Sequence, residues 1–306
     1  MSTNAAVPEA GTAISAPVTV HALACHAAVD MAARGFASLA RCSDRPIRFV
    51  VHDDGTLGPE DHGRLQDAVR GTTFIDRPTA DATVEPKLSK YRLCREFRRR
   101  NPLALKLLDI PLLATGDVAC CDTDVFAFSP FAGVFEWPDE ETTGVFMRDT
   151  QNAYAVRPWH LVASGIALPM WINTGLMLFR TRHHDLDFIE WFLGREFAVY
   201  QRLPGWVEQT CWAALAHRGR CRLYDASQVR VIRDAACLND PALLIGHFTS
   251  NVRGLWEQAQ PSSPRRQATT AVRTYPVERL SASRLAAEQV RRIAGRGRTW
   301  IRAHAQ

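Results

Sequence analysis

The sequence predicts an α/β fold in which a mostly parallel sheet is flanked by helices. Strand-like and helix-like segments alternate from residue 18 onward. The first three segments form a βαβ pattern, which places two strands in parallel because the helix between them returns the chain to the same end of the sheet. With 306 residues and 46% hydrophobic content, the chain can bury a core of the required size without disulfides.

In the first half of the chain, short runs of β-branched and aromatic residues predict three strands, and apolar periodicity predicts the helices between them. The strands are expected at 18–24, 47–52 and 73–75, and the helices at 27–39 and 59–69. Residues 88–113 are also predicted to be largely helical, with a break near Pro102. The three arginines at 98–100 are interpreted as a solvated helix face rather than as a phosphate site.

The second half of the chain continues the alternation. Strands are expected at 118–128, 144–147, 172–179 and 243–248, and helices at 188–192 and 208–216. Asn173, Thr174 and Gly175 interrupt the third of these strands, which indicates a bulge or a group that approaches the backbone closely. Asp185 and Asp187 precede the helix at 188–192 and are interpreted as capping and dipole-neutralising residues.

Composition divides the chain into three parts. Residues 1–17 are rich in Ala, Ser, Thr and Pro, have no hydrophobic period, and are expected to form a flexible leader. Residues 18–258 are expected to form the globular domain, and residues 259–306 a basic, helical extension. Ten arginines and only two glutamates lie after residue 260, which gives this end a charge of +8 in a chain of net charge +5.

The basic extension narrows the range of partners. It lacks the interleaved aromatic residues typical of single-strand binding, and the rest of the chain is slightly acidic, so no nucleic-acid partner is expected. Arginines attract anionic lipid head groups, which makes the extension a candidate for peripheral membrane contact. A terminal helix that is solvated or docked on its own domain is the alternative.

The sequence contains no run of 18 apolar residues and no signal-peptide pattern at its start. We therefore expect a cytoplasmic protein. If the extension binds lipid, the protein would be peripheral at the inner face of the membrane.

Two carboxylates, Asp122 and Asp124, lie one residue apart between the apolar runs 118–121 and 125–128. Ionised carboxylates cannot be buried at low cost without a cation beside them. Ligands of open α/β sheets also collect at the carboxyl ends of strands. The pattern therefore favours a metal or nucleotide site over a charged turn. Cys120 and Cys121 are interpreted as small buried residues rather than as soft metal ligands.

Five elements occur in a fixed order along the chain, namely 106–111 (KLLDIP), 122–124 (DTD), 173–175 (NTG), 208–209 (EQ) and 247–256 (HFTSNVRGLW). In this order they resemble the nucleotide-sugar glycosyltransferases of the GT-A fold, and most closely the family that contains glycogenin and bacterial lipopolysaccharide galactosyltransferases. The resemblance extends over residues 18–256, with motif support from Lys106 onward. It implies a GT-A catalytic domain with a Rossmann-like mixed sheet over residues 18–258.

The resemblance implies a metal site and a donor site. Asp122, Asp124 and His247 would hold Mn²⁺ or Mg²⁺, and carboxylate oxygens with an imidazole suit such a metal. The donor would be a nucleotide sugar, with UDP as the expected nucleotide. Lys106, Asn173 and Gly175 match residues that contact the donor, with a helix lysine whose ammonium reaches solvent as the alternative for Lys106. Arg253 stands where the family has a lysine, and a guanidinium can also bind a diphosphate.

Three further residues are candidates for catalysis. Glu208 and Gln209 match an acidic residue and a glutamine that lie beneath the transferred sugar. The resemblance implies a reaction with retention of configuration, in which the leaving phosphate accepts the acceptor's proton. An inverting enzyme would need a carboxylate base, for which Asp149 and Glu208 are the candidates. Residues 149–159, with Tyr154, Arg157 and Trp159, are expected to form the acceptor wall, and the acceptor would be a glycan, a lipid-linked sugar or a peptide.

Two other functions are compatible with these motifs. A catalytically silent GT-A domain would bind a nucleotide or a glycan without turnover, because a fold does not guarantee activity. A haloacid-dehalogenase-type phosphatase also places an Asp-x-Asp at a strand end. That class needs Thr or Val where this chain has Phe126, and its motif lies near the start of the domain.

Overall fold

A mixed sheet of eleven strands runs through the described part of the computed structural model, which comprises residues 16–195, 204–257 and 268–304. The strands are β1 (Val18–Ala24), β2 (Ile47–Asp53), β3 (Thr73–Ile75), β4 (Val118–Cys121), β5 (Val125–Ala127), β6 (Phe131–Ala132), β7 (Thr142–Arg148), β8 (Ile172–Phe179), β9 (Arg220–Tyr224), β10 (Val229–Val231), β11 (Ile245–His247), β12 (Thr270–Ala271) and β13 (Thr274–Pro276). The short strands β6 and β12 form a separate parallel pair.

Helices follow most of the strands. They are α1 (Val29–Cys42), α2 (Pro59–Ala68), α3 (Arg77–Lys87), α4 (Arg92–Arg100), α5 (Ala104–Leu113), α6 (Pro158–Ala163), α7 (Leu186–Leu193), α8 (Pro204–His217) and α9 (Ala282–His304). Asp185 caps α7 by accepting a hydrogen bond from the Phe188 amide, as the capping interpretation predicted.

The strand order along the sheet is β3-β2-β1-β4-β8-β7-β10-β11-β5. Strand β7 also pairs with β9, and β9 pairs with β13. Strands β3, β2, β1 and β4 are parallel to one another, whereas β8 is antiparallel to both β4 and β7. The predicted fold class, a mostly parallel mixed sheet flanked by helices, is confirmed.

The sheet has a hydrophobic core on each face. On one face α1 packs over β2 and β5, and Phe36 stacks on Phe49. The core on the other face is formed with residues of α3, α4, α5, α7 and α8. In it the buried Trp212 of α8 packs edge-on against Phe179. Helix α1 approaches β5 closely, since a Cβ on Gly35 would lie 2.7 Å from the Val125 carbonyl oxygen.

One expected strand is divided. Residues 118–128 form two strands instead of one, because the Asp122 amide donates to the Gly175 carbonyl and the chain then turns. Strand β5 leaves its neighbour β4 and pairs antiparallel with β11 at the far end of the strand order. The Asp-x-Asp segment therefore crosses from one part of the sheet to another.

The solvated-face interpretation of the three arginines is wrong for Arg98. Its side chain is fully buried and its guanidinium lies 2.6 Å from an oxygen of Asp109 and 2.6 Å from one of Asp81. Glu85 adds a third contact at 3.1 Å. Helix α4 turns this position inward towards α5, so the first arginine of the run neutralises buried acid while the next two are exposed.

The end of the chain packs on the sheet domain. Strand β13 continues the sheet edge, and Leu280 and Leu285 are buried in the core on the side of α8. The carboxylate of Glu288 accepts from the backbone and side-chain amides of Asn152. The predicted terminal helix is confirmed as α9. The division at residue 258 stays a prediction, since residues 258–267, like 1–15, lie outside the described residues.

No helix within the described ranges combines the length and the apolar character needed to cross a bilayer.

Candidate active site

The two carboxylates of the Asp-x-Asp motif meet a histidine at the point where β4 ends and β5 begins. Strand β11 ends at His247, whose position in the ladder lies opposite Val125, the residue after Asp124. The His247 Nε2 atom lies 2.9 Å from Asp124 Oδ1 and 3.7 Å from Asp122 Oδ2. The three ligand atoms lie within 4.8 Å of one another, so the structure brings together the three predicted metal ligands.

Each carboxylate uses its second oxygen to bind a cationic side chain. Lys106 Nζ donates to Asp122 Oδ1 at 2.6 Å. Arg253 donates to Asp124 Oδ2 through Nε and Nη2 at 3.0 and 2.9 Å. The oxygens that remain, Asp122 Oδ2 and Asp124 Oδ1, are the two that face His247. This arrangement leaves one oxygen of each carboxylate directed at a common point.

The proton on His247 can be assigned from its neighbour Asn173. The Asn173 Oδ1 atom lies 3.0 Å from His247 Nδ1 and also accepts from the Gly175 amide. The amide nitrogen of Asn173 in turn donates to Asp149 Oδ2. Because Oδ1 is only an acceptor, Nδ1 must carry a hydrogen, so Nε2 is the nitrogen that could bind a cation after losing its own proton. A histidine that binds a metal is commonly held in this way.

Gly175 provides the space for the His247 ring. A Cβ on Gly175 would lie 2.2 Å from His247 Nδ1 and 2.9 Å from Asn173 Oδ1, distances too short for any real contact. The polar and glycine insert in β8 therefore holds a histidine beside the carboxylates, in agreement with the close approach that the sequence indicated. Gly175 lies beneath the imidazole, and the neighbouring side chain of Asn173 lines a cavity.

The charges of the three residues depend on one another. Burial raises the pKa of Asp124, but His247 and Arg253 outweigh this effect and hold that pKa at about 2. Burial lowers the pKa of His247, yet the carboxylates of Asp124 and Asp122 raise it above its ordinary value. Two carboxylate oxygens and a neutral imidazole nitrogen form a donor set suited to Mn²⁺ or Mg²⁺, so the residues fit the expected metal.

Lys106 is fully buried, so its ammonium does not reach solvent. Burial lowers its pKa, but Asp122 and Glu208 more than compensate and raise it. Glu208 lies on the inner side of this lysine, with Oε1 3.9 Å from Nζ and Oε2 3.4 Å from the Thr174 hydroxyl. Burial raises the pKa of Glu208 to about 7, although Lys106 opposes that change. Glu208 therefore contacts the lysine within the core and does not line either of the cavities described below.

A cavity of about 480 Å³ opens beside Asn173. Gln209 and Asp149 line it, and the Gln209 Nε2 atom donates to the Ala153 carbonyl at 3.1 Å and to Asp149 Oδ2 at 3.4 Å. The other oxygen of Asp149 accepts from the amides of Thr150 and Gln151. Burial raises the pKa of Asp149, and these hydrogen bonds reduce the rise.

A smaller cavity, of about 180 Å³, lies on the other side of the carboxylates. Its walls come from the carboxyl ends of β1 and β2 and from the start of α5, and they include Leu23, Ala24, Cys25, Asp54, Leu103, Lys106, Asp122, Asp124 and Arg253. The residues on β1 and β2 were not predicted. The rule that ligands bind at the carboxyl ends of parallel strands could have indicated them.

Only part of the segment that was expected to form the acceptor wall lines the larger cavity. Tyr154 is buried, and its hydroxyl donates to the Pro169 carbonyl and accepts from the Ile172 amide, so this residue supports the core. Arg157 and Trp159 do not line the larger cavity. Its remaining lining residues include Thr249 and Val252 of the 247–256 motif, and four residues that the sequence did not indicate, namely Trp206, Val231, Ile232 and Arg233. All of these residues come from α8, from the end of β10 and from the loop after β11. These segments are far apart in the sequence, so no local sequence pattern indicates that they meet.

Comparison with solved structures places this architecture among known folds. Mouse xyloside xylosyltransferase 1 in its apo form superposes with a TM-score of 0.50 at 12% identity, over 77% of this chain and 99% of that chain. The chain has a GT-A fold. Galactosyltransferase LgtC with donor and acceptor sugar analogues matches with a TM-score of 0.47 at 13% identity, covering 79% and 95% of the two chains.

A third similar structure is the glycosyltransferase GlyE of Streptococcus pneumoniae TIGR4, with a TM-score of 0.47 at 13% identity. It covers 80% of this chain and 60% of that chain. No protein-family profile matches the sequence, and no curated protein matches it either.

Proposed function

We propose that the chain is a metal-dependent glycosyltransferase that transfers a sugar from a nucleotide sugar, with UDP as the nucleotide, to an acceptor. The observation that carries this proposal is the convergence of Asp122 Oδ2, Asp124 Oδ1 and His247 Nε2 between two cavities. The proposal assigns the diphosphate of the donor to the smaller cavity, and the sugar and the acceptor to the larger one. The GT-A fold is the framework in which this arrangement is expected.

Asp122, Asp124 and His247 would hold Mn²⁺ or Mg²⁺. When bound, such an ion neutralises charge on the diphosphate of the donor and on the leaving nucleotide. Arg253 lies at the edge of the same site with a half-exposed side chain, so it can add a second positive charge to a phosphate. Lys106 would hold Asp122 in place through its bond to Oδ1.

On the sugar side, Asn173 and Gln209 are the polar side chains that can orient hydroxyl groups. Positive charge that develops at the anomeric carbon would be stabilised by the amide oxygen of Gln209. Both candidate bases are held by neighbouring groups. Both oxygens of Asp149 already accept hydrogen bonds, and Glu208 is buried behind Lys106. These contacts favour retention, with the leaving phosphate taking the proton.

The acceptor would be a glycan, a lipid-linked sugar or a peptide, and no nucleic acid is involved. The larger cavity combines polar groups with the apolar surfaces of Trp206 and Val252, which suits one sugar ring and its attachment. Peripheral membrane contact through the basic end of the chain is part of this proposal, and its surface is argued below.

Calorimetric titration of UDP with and without Mn²⁺ tests the donor site. We expect binding that requires the metal and that is absent in the Asp122→Ala variant. The Arg253→Ala variant should bind UDP more weakly and still respond to Mn²⁺. Metal-independent binding, or unchanged UDP affinity in both variants, would refute the assignment.

A silent GT-A domain is the competing function, and slow hydrolysis of UDP-sugars distinguishes it. A transferase should release UDP from at least one donor in a metal-dependent manner even when no acceptor is present. A domain that binds UDP and Mn²⁺ but hydrolyses none of the common UDP-sugars would support the silent alternative. No observation on the described residues favours the phosphatase.

A further inference from the structure

Two helices that pack against each other carry most of the large apolar side chains that are exposed. Trp159 and Val162 of α6 are 62% and 76% exposed, and Val290 and Ile293 of α9 are 64% and 71% exposed. Among the other residues whose side-chain exposure the structure describes, the large hydrophobic residues reach at most 50%. We call these four exposed residues of two contacting helices the α6–α9 face. An apolar surface of this kind usually marks a binding site.

The orientation of α9 is fixed by contacts on its opposite side. Leu285 is buried in the core, and Gln289 donates to the Val156 carbonyl just before α6. Arg292 lies over the Trp206 ring at 5.1 Å. Leu285, Gln289 and Arg292 are three or four residues apart, so they lie on one side of the helix. Val290 and Ile293 lie away from that side and remain exposed.

The α6–α9 face belongs to a strongly basic element. Helix α9 contains six arginines and one glutamate, a net charge of +5. That glutamate, Glu288, is directed at Asn152 in the body of the protein, and Glu278, which precedes the helix, pairs with Arg284. A second copy of this chain would bring two such helices together, at an electrostatic cost.

We propose that the α6–α9 face docks on the surface of an anionic lipid bilayer. Apolar side chains next to arginines on an in-plane helix are the combination that such a surface binds, because the apolar groups enter the interface and the arginines contact head groups. Docking would also position the larger cavity, since Trp206 both lines that cavity and contacts Arg292. This part of the inference rests on the proposed function, because a cavity held next to the bilayer suits an acceptor that is carried by a lipid.

Sedimentation with vesicles tests the docking without requiring activity. The full chain is mixed with vesicles of phosphatidylcholine alone and of phosphatidylcholine with 30% phosphatidylglycerol, a composition of roughly physiological negative charge. We expect binding to the anionic vesicles only, with a decrease of at least about tenfold in the partition coefficient of the double variants V290S/I293S and W159S/V162S. Tyr275→Ser, which changes an exposed aromatic residue on β13, is the matched control and should bind like the wild type.

The other outcomes would overturn the inference. No binding to anionic vesicles would exclude the bilayer as the partner. Equal binding by the wild type and both double variants would show that the arginines act without the α6–α9 face. A wild-type dimer in solution that V290S/I293S converts to a monomer would identify a second copy as the occupant. Because UDP binding is measured separately, failure of docking leaves the proposed donor site unaffected.

Discussion

At the scale of single residues, the site depends on how each polar atom is used. Lys106 and Arg253 each occupy one carboxylate oxygen, which leaves the other oxygen of Asp122 and of Asp124 facing His247. Without those two cations, two adjacent carboxylates would repel each other in a largely buried position. Cationic side chains therefore offset the charge of the motif and orient both of its carboxylates.

The Asp124→Asn variant is expected to lose metal-dependent UDP binding. Asparagine keeps the shape of the side chain but removes the charge of a buried ligand, so affinity in the presence of Mn²⁺ should fall by more than roughly 100-fold, beyond the typical loss for an outer-shell partner. Calorimetric titration measures it. Asp187→Asn, in the exposed second Asp-x-Asp, is the control and should bind like the wild type. Equal affinities in both variants would contradict the metal site.

The Gly175→Ala variant is expected to displace His247. The new methyl group would lie 2.2 Å from Nδ1, so either the ring or β8 must move. We expect a loss of about 1–3 kcal/mol in the free energy of unfolding and a decrease of roughly 10–100-fold in Mn²⁺ affinity. Urea unfolding and metal titration measure these quantities. Gly116→Ala, where a Cβ meets nothing within 4 Å, should change neither, and a Gly175→Ala variant that resembles it would disprove the packing argument.

At the scale of elements, the junction of α4 and α5 positions the lysine of the site. Helix α5 carries both Lys106, which reaches Asp122, and Asp109, which pairs with Arg98 of α4. Burial raises the pKa of Asp109, and Arg98 opposes this rise. The ion pair thus fixes the helix from which Lys106 extends, so a change on the far side of α5 should also affect the donor site.

The Arg98→Leu variant is expected to destabilise the protein by about 3–5 kcal/mol, because it leaves Asp109 buried without its partner. Urea unfolding measures the loss. Arg99→Leu changes a neighbouring arginine that is exposed, and a surface substitution of this kind usually stays within about 0.5 kcal/mol. If both variants unfold at the same urea concentration, the buried ion pair does not hold α4 against α5.

Most elements could be predicted because their local patterns agree with their surroundings. Strands β1 and β3 begin and end at the expected residues. The limits of α1, α2 and β2 differ from the expected limits by one to three residues. The helix α3, with Pro86 near its end, was missed because its apolar residues are few. The burial of Arg98 was not predicted because it depends on which element packs against α4. The partner of Arg98, Asp109, lies eleven residues further along the chain, on α5.

At the scale of the whole molecule, the cluster of two carboxylates and a histidine was predictable and the cavities were not. Asp122, Asp124 and His247 lie at ends of strands, and a sequence motif records each of them. The larger cavity combines Asp149, Trp206 and Val252 from three distant segments, and only the sheet order brings these segments together. The same order places the two carboxylates in the wall of the smaller cavity and Asn173 of β8 in the wall of the larger one.

The stability of the whole fold should decrease as the pH falls below about 6.5. His21 and His52 are buried side by side on β1 and β2, with Nδ1 of one 3.0 Å from Nε2 of the other. Burial lowers the pKa of His21 to about 4, and burial together with its neighbour lowers that of His52 to about 3. Both pKa values lie below the value of about 6.5 for a histidine in the unfolded chain. As the pH falls, the unfolded chain therefore binds protons before the folded protein does. The stability that is present above about pH 6.5 is lost towards about pH 4.

The two histidines should together remove roughly 4 kcal/mol between pH 7.5 and pH 5. Urea unfolding at several pH values measures the decrease, and the His52→Leu variant should show about half of it over the same range. His26→Gln is the control. Asp61 raises the pKa of this exposed histidine, so protonation of His26 favours the folded state. Removing His26 should therefore not reduce the loss of stability at low pH. A His52→Leu variant with the pH dependence of the wild type would mean that the buried pair does not remain neutral.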